Sequence, residues 1–308
     1  MADEPWEGLS VNHPCACEPQ ILFVRELNEI RMYYRGGWYT GGIGVAFSHN
    51  GIAWKKYDKN PIFGGSFLDS SGYVGSTMQP WVVAPSRSDD KWRLFVSVNS
   101  TKMAIATSWN GLKWEAQEHT YVPLPVNKTI FGNRAAWQES NGHWYMFQES
   151  GMPDVWEIYL YSSNDGFHWV LENEGLPLRD LQVAPGGAYG GPSLATVDGI
   201  LRPQDDNGDY HLFYHAVAEE GNLPTDIYHA HAPNLRGPWT VEPARRPLFE
   251  HLGKGWEYDQ VADPSVSVVR SRAFMLYDGD NNVVGDAGIG LATAHMSWEM
   301  REWGPGNV

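Results

Sequence analysis

The chain has 308 residues and a formal net charge of −15. That length holds one large all-β domain or two smaller ones, with a core large enough to need no covalent staple. The charge argues against nucleic acid and anionic membrane as partners, and no apolar run is long enough to span a bilayer. Fifteen Trp and fifteen Tyr favour strands, while thirty-three Gly and twenty Pro fit many short strands and turns.

The first residues, Met1 to Trp6, show no basic stretch leading into an apolar run. A cytoplasmic location is expected on that ground. Cys15 and Cys17 are the only cysteines. Two thiols one residue apart make a poor disulfide, and no second pair completes a zinc site, so they are expected as buried thiols.

The first unit opens at Glu18-Pro19. It continues through strands at 20–24, 30–34 and 43–47 to a turn, Ser48-His49-Asn50-Gly51, and then Trp54. The phrase returns as Ser108-Trp109-Asn110-Gly111 before Trp114 and as Ser163-Asn164-Asp165-Gly166 before Trp169. A looser copy, Asn234 to Gly237, precedes Trp239, and a degenerate one ends at Trp298. Asn-Gly and Asp-Gly accept the positive φ angles of a tight hairpin. Each turn follows a pair in which a small or polar residue precedes Pro or Ala: Glu18-Pro19, Gln79-Pro80, Arg134-Ala135, Gly191-Pro192 and Asp263-Pro264. From the Pro or Ala to the Trp the chain runs 35, 34, 34, 47 and 34 residues in the five units. The long fourth unit carries an insertion around Asp205-Asp206-Asn207-Gly208.

Five copies of a four-stranded antiparallel unit predict a five-bladed β-propeller, an all-β single domain. The blades are expected at about 15–58, 76–118, 131–173, 188–243 and 260–303. The five Trp are expected at equivalent places on the outer strands. Ring closure is expected to rest on the first residues or on loop packing, because the fifth unit supplies four strands of its own. The pairs opening the innermost strands should converge where the channel meets the top face, which brings together Glu18, Gln79, Arg134, Gly191 and Asp263.

These blades, Asp-Pro-like openings and Ser-x-Asp-Gly-x-x-Trp turns resemble the five-bladed propeller glycoside hydrolases of family 43 and its relatives in families 32, 117 and 130. The resemblance covers about residues 15–303. It implies a carboxylate base from the first blade, a supporting Asp from the second and a Glu acid from the third. Glu18 matches the first position; Gln79 and Arg134 stand at the other two without a carboxylate. No cofactor is implied beyond a channel ion such as the calcium that some relatives hold.

Glycoside cleavage needs two carboxyl groups flanking the bond. Glu18 and Asp263 are the expected pair, since blades one and five adjoin in a closed ring, with Glu149 and Asp259 as further catalytic candidates. Gln79, Arg134, His215, Trp81, Trp137, Tyr189 and Glu257 are candidates for binding substrate, the aromatics by stacking on a ring. His229 and His231 alternate on a strand but lack a third ligand of suitable spacing, so no metal site is assigned. The Gly-rich run 186–191 leads into a strand rather than a helix, which argues against a phosphate loop. The expectation is a glycosidase-like enzyme for a small or short-oligosaccharide substrate. Two alternatives use the same pocket: a lyase, dehydratase or isomerase of a metabolite, and a non-catalytic ligand-binding propeller.

Overall fold

The computed structural model describes every residue except 1–3, 8–14, 38–40, 65–66, 69–73, 87–88, 153–154, 198–199, 202–207, 245, 282–285, 296–303 and 306–308. Five antiparallel sheets, each of four strands in succession from the centre outward, make the five blades. Their innermost strands are Ala16–Val24, Thr77–Val83, Ile130–Gln138, Tyr189–Leu194 and Gln260–Val269, and each touches the next in a closed ring. The second strands are Glu29–Gly36, Trp92–Val98, Trp144–Gly151, Tyr210–Ala216 and Arg272–Asn281. The outermost strands are short, Lys55–Lys56 and Glu115–Ala116 among them. The fold and its blade count are those the repeat spacing predicts.

The repeated turn explains both the local geometry and the contact between blades. In the first three blades a Ser hydroxyl accepts the N–H of the turn glycine, as in Gly51 to Ser48 at 2.9 Å. The Asn or Asp side chain then accepts the next two N–H groups. Gly51, Gly111 and Gly166 have φ of 74°, 71° and 72°, a left-handed conformation that a side chain would strain. Each turn then docks on the preceding blade. Arg31 of blade one donates to the Asn110 carbonyl at 2.8 Å, and Arg93 of blade two donates to the Asp165 carbonyl at 2.6 Å.

Trp54, Trp114, Trp169 and Trp239 occupy equivalent places, immediately before the outermost strand rather than on it. Trp298 lies outside the described residues. Trp169 is fully buried in the largest core cluster, while Trp54 is half-buried at the edge of another.

All four strands of blade five come from the end of the chain, so no exchanged strand closes the ring. Side chains close it instead. Ser265 accepts the N–H of Ile21 at 3.0 Å, and Asp278 accepts the N–H of Glu18 with both oxygens at 2.8 Å. In the long fourth unit, the hairpin Thr196–Val197 and Ile200–Leu201 leaves its own blade and pairs in parallel with the innermost strand of blade five.

Cys15 and Cys17 are joined as a disulfide, contrary to the expectation of free thiols. Residues two apart in an extended strand face the same side, and here their Cα atoms are 5.6 Å apart, within the range a disulfide spans.

Burial predicts unequal roles for the repeated tryptophans. Trp169→Ala should lower unfolding stability by about 3–5 kcal/mol, and Trp54→Ala by clearly less. Equilibrium urea unfolding measures both, and equal losses would contradict this packing.

Candidate active site at the channel mouth

Every innermost strand is interrupted by a bulge at the same level. The paired residues on either side are Cys17 and Gln20, Met78 and Trp81, Phe131 and Arg134, Gly190 and Ser193, and Ala262 and Ser265. The first bulge residue is therefore Glu18, Gln79, Gly132, Gly191 and Asp263 in turn. This corrects the sequence alignment of blade three: Arg134 follows the bulge, and Gly132 holds the position equivalent to Glu18. The apolar run of that blade carries no Pro, so its register could not be read from the sequence. Glu18, Gln79 and Asp263 have φ of 52°, 58° and 50°. For residues with side chains this conformation is unfavourable by about 1–3 kcal/mol each and must be held by its surroundings.

Hydrogen bonds from neighbouring blades hold it. The N–H of Glu18 goes to Asp278 of blade five, and the N–H of Gln79 goes to Glu18 Oε2 of blade one at 2.5 Å. The N–H of Asp263 lies 3.2 Å from His215 Nδ1 of blade four, whose ring faces the Asp263 carboxylate. In blade three, Asn133 donates its N–H to Glu149 Oε2 at 2.8 Å.

Arg35, His215 and Asp278 occupy one equivalent place, opposite the residue before the bulge on the second strand. Arg35 grips Glu18 Oε1 at 2.8 Å in a pair that is almost wholly buried. His215 stands between two carboxylates, with Nδ1 at 3.3 Å from Asp263 and Nε2 at 3.5 Å from Glu149. Glycines make room for this arrangement. A Cβ at Gly132 or Gly190 would fall on the Glu149 carboxylate, and one at Gly191 on His215 and Asp263. Arg134 is buried as well. It donates to the Gln79 carbonyl at 2.5 Å, to Gln148 at 3.0 Å and to Ser97.

The electrostatics follow from burial. Removal from water pushes the Glu18 carboxyl up; Arg35 pulls it down and Asp263 pushes it up again. Burial also pushes Asp278 well above the usual carboxylate range, and the charges of Asp263 and Glu18 add to that. Burial alone would lower His215, but its bonds to Asp263 and Glu149 outweigh this and raise it to about 10. Burial lowers Arg134 to about 9 against the pull of Glu18 and Glu149, which leaves it a cation at neutral pH.

The mouth thus brings together Glu18, Gln79, Arg134, Glu149, His215 and Asp263 as expected. It adds Asp278 and Arg35, which the sequence reading missed. Other expectations fail. Trp137 and Tyr189 are packed in the core, with Trp137 stacked on Tyr145, and neither is open to a sugar ring. Trp81 lines the channel but spends its N–H on the Ala136 carbonyl at 2.8 Å. Glu257 is buried and bonded to the Tyr277 hydroxyl at 2.6 Å rather than facing substrate. Asp259 lies in a separate surface cleft with His251 and Tyr258. Glu149 and Arg134 interact electrostatically.

Among the described residues, Glu149, His215 and Asp263 alone place donor atoms within 4.8 Å of one another, the spacing a cation needs. A cation there would have to displace the proton that the two carboxylates hold on His215. His229 and His231 instead form a ring stack with His211, and His211 Nδ1 is 2.9 Å from His229 Nε2. Below the mouth, Pro19, Pro80, Pro192 and Pro264 ring a void of about 10 Å³, room for about one water molecule.

No protein-family model and no curated protein matches this chain. Solved structures do. A thermostable family-43 glycoside hydrolase matches with a TM-score of 0.64 at 16% identity, covering 92% of this chain and 90% of its own. An endo-1,4-beta-xylanase from Bacteroides thetaiotaomicron matches with a TM-score of 0.67 at 17% identity, covering 96% of each. The alpha-L-arabinofuranosidase of Podospora anserina, solved with cellotriose, matches with a TM-score of 0.63 at 13% identity, covering 93% of this chain and 92% of its own. The fold is that of the five-bladed propeller glycoside hydrolases. At these identities the likeness shows the five-bladed propeller fold alone and leaves the chemistry to the residues at its mouth.

The site predicts a sign for stability against pH. His215 has a folded value near 10, above the unfolded value of about 6.5, so its contribution is full below about 6.5 and is lost as pH rises through 10. Glu18 and Asp278, raised on folding, act in the same direction as pH rises above the ordinary carboxylate range. Unfolding free energy should therefore fall between pH 6.5 and 10, by up to about 1.4 kcal/mol per pH unit for each extra proton held. His215→Gln should flatten the slope. Rising stability over that range would refute the buried imidazolium.

Proposed function

We propose that the chain is a glycosidase-like enzyme that acts through the channel-mouth carboxylates on a small glycosidic or polyhydroxylated substrate. The carrying observation is buried Asp278 beside Glu18, whose carboxylate is gripped by Arg35. Burial and the charges of Asp263 and Glu18 raise Asp278 well above the ordinary carboxylate range. Arg35 favours charge on Glu18, so the proton resides on Asp278. Such a pair offers one base and one acid, the two groups that glycoside cleavage requires.

In this reading Glu18 is the carboxylate base, as its first-blade position suggests, and Gln79 fixes it through its backbone N–H. Asp278 holds the proton destined for the leaving oxygen, with the neighbouring Asp263 keeping it there by charge repulsion. His215 and Glu149 fix the orientation of Asp263.

An elimination or isomerisation in the same pocket is the second reading. It is favoured by Arg134, a cation beside the blade-three carboxylate, where it would stabilise negative charge developing on a substrate.

A panel of aryl arabinosides, aryl xylosides and short oligosaccharides separates these readings. Activated aryl glycosides should be cleaved, and unactivated arabinan or xylan fragments only where Asp278 is present to protonate the leaving oxygen. Glu18→Gln and Asp278→Asn should each lower kcat by at least about 100-fold, the scale of a lost general acid or base. An unsaturated product absorbing in the ultraviolet would establish elimination. Efficient cleavage of an unactivated oligosaccharide by Asp278→Asn would overturn the assignment of the acid.

A further inference from the structure

A roomier cavity than the channel void lies away from the channel. A cleft of about 340 Å³ opens between blades four and five, lined by Leu223, Pro224, His251, Gly253, Tyr258 and Asp259. That volume is within the range of small-molecule sites, whereas the void at the channel holds about one water. We propose that this cleft binds a second hydroxylated ring of the substrate, so that the enzyme takes a glycoside of at least two rings. The inference rests on the glycosidase-like reading of the mouth.

The walls of the cleft are built, not incidental. The turn Gly255–Glu257 is pinned from below: Trp256 stacks on Tyr277 with ring centres 6.0 Å apart, and buried Glu257 accepts the Tyr277 hydroxyl at 2.6 Å. Asn281 donates to the Gly255 carbonyl at 2.6 Å. The next residues, Tyr258 and Asp259, are thereby presented to the cleft, and Tyr258 is 47% exposed. On the opposite wall His251 is fixed twice by one oxygen of Asp226, through its backbone N–H at 2.8 Å and through Nδ1 at 2.7 Å. A carboxylate at Nδ1 sets the tautomer with hydrogen there, leaving the Nε2 lone pair as an oriented acceptor. An aromatic face, an oriented imidazole nitrogen and a carboxylate suit a neutral ring bearing hydroxyl groups; the carboxylate disfavours a phosphate or another anion.

The cleft shares its frame with the mouth. Val261 donates to the Thr225 carbonyl at 3.1 Å, tying the cleft wall to the innermost strand that carries Asp263. From Asp259 to Asp263 that strand spans about 13 Å at ordinary strand rise. A short oligosaccharide can bridge the two places.

The test is calorimetric and NMR binding of xylotriose, arabinotriose and cellotriose to the intact chain and to Tyr258→Ala and His251→Gln. At least one trisaccharide should bind the parent protein. Tyr258→Ala and His251→Gln should weaken it at least tenfold with unchanged melting temperature. Equal affinity in both cleft variants, or no binding of any of the three, overturns the proposal. Cleavage of aryl monoglycosides is measured alongside. If that cleavage persists while the cleft fails, only the second-ring site is lost. If the cleft binds and no glycoside is turned over, the cleft stands and the enzymatic reading of the mouth falls.

Discussion

The backbone N–H of Glu18 points at both oxygens of Asp278 across the seam where blade five meets blade one. That contact sits where the ring closes without an exchanged strand. The same motif recurs at the next seam, where Glu18 takes the N–H of Gln79, and between blades four and five His215 pairs with the Asp263 carboxylate. Each bond does two things. It holds a bulge residue in a left-handed conformation that it would otherwise leave, and it brings a titratable side chain into a buried ring with its neighbours. The electrostatics of the mouth are thus a consequence of how the blades are joined. Carboxylates placed for closure are desolvated together, which pushes Glu18 and Asp278 above the ordinary carboxylate range.

This coupling links function to stability. Removing one member of a buried charged pair leaves the other uncompensated, an effect of about 3–5 kcal/mol. Arg35 with Glu18 is such a pair. Arg134 is less exposed to this loss, because its guanidinium is satisfied largely by uncharged acceptors: the Gln79 and Gly132 carbonyls, Gln148 and Ser97. A charge-preserving or isosteric substitution at Glu18 or Asp278 therefore reports on chemistry more cleanly than truncation does.

The architecture was legible because it repeats. Ser48, Asn50 and Gly51 make the same turn bonds as Ser108, Asn110 and Gly111, and identical local chemistry written at a constant interval identifies a blade without knowledge of its neighbours. The site was legible where a Pro marked the bulge, as at Glu18, Gln79 and Asp263. Blade three has no such mark, and the alignment slipped from Gly132 to Arg134. Asp278 and Arg35 were missed for a different reason. Their role depends on pairing between strands 15 or more residues apart and across the closing seam, and neither has a local signature. Burial was the least legible property: Trp137 and Tyr189 look like sugar platforms in sequence and are core in three dimensions. The adjacency of Cys15 and Cys17 likewise argued against a bond that the extended strand permits.

The central claim is that the mouth keeps a carboxyl proton at neutral pH, and that this proton resides on Asp278. Carbon-13 NMR of the Asp and Glu side-chain carboxyls, titrated from pH 3 to 9 and assigned with Asp278→Asn and Glu18→Gln, tests it directly. The account predicts one signal that retains its protonated shift at pH 7 and disappears in Asp278→Asn. If every carboxyl in the protein were ionised by about pH 5, near the ordinary range, the shared proton would not exist and the assignment of acid and base would fail.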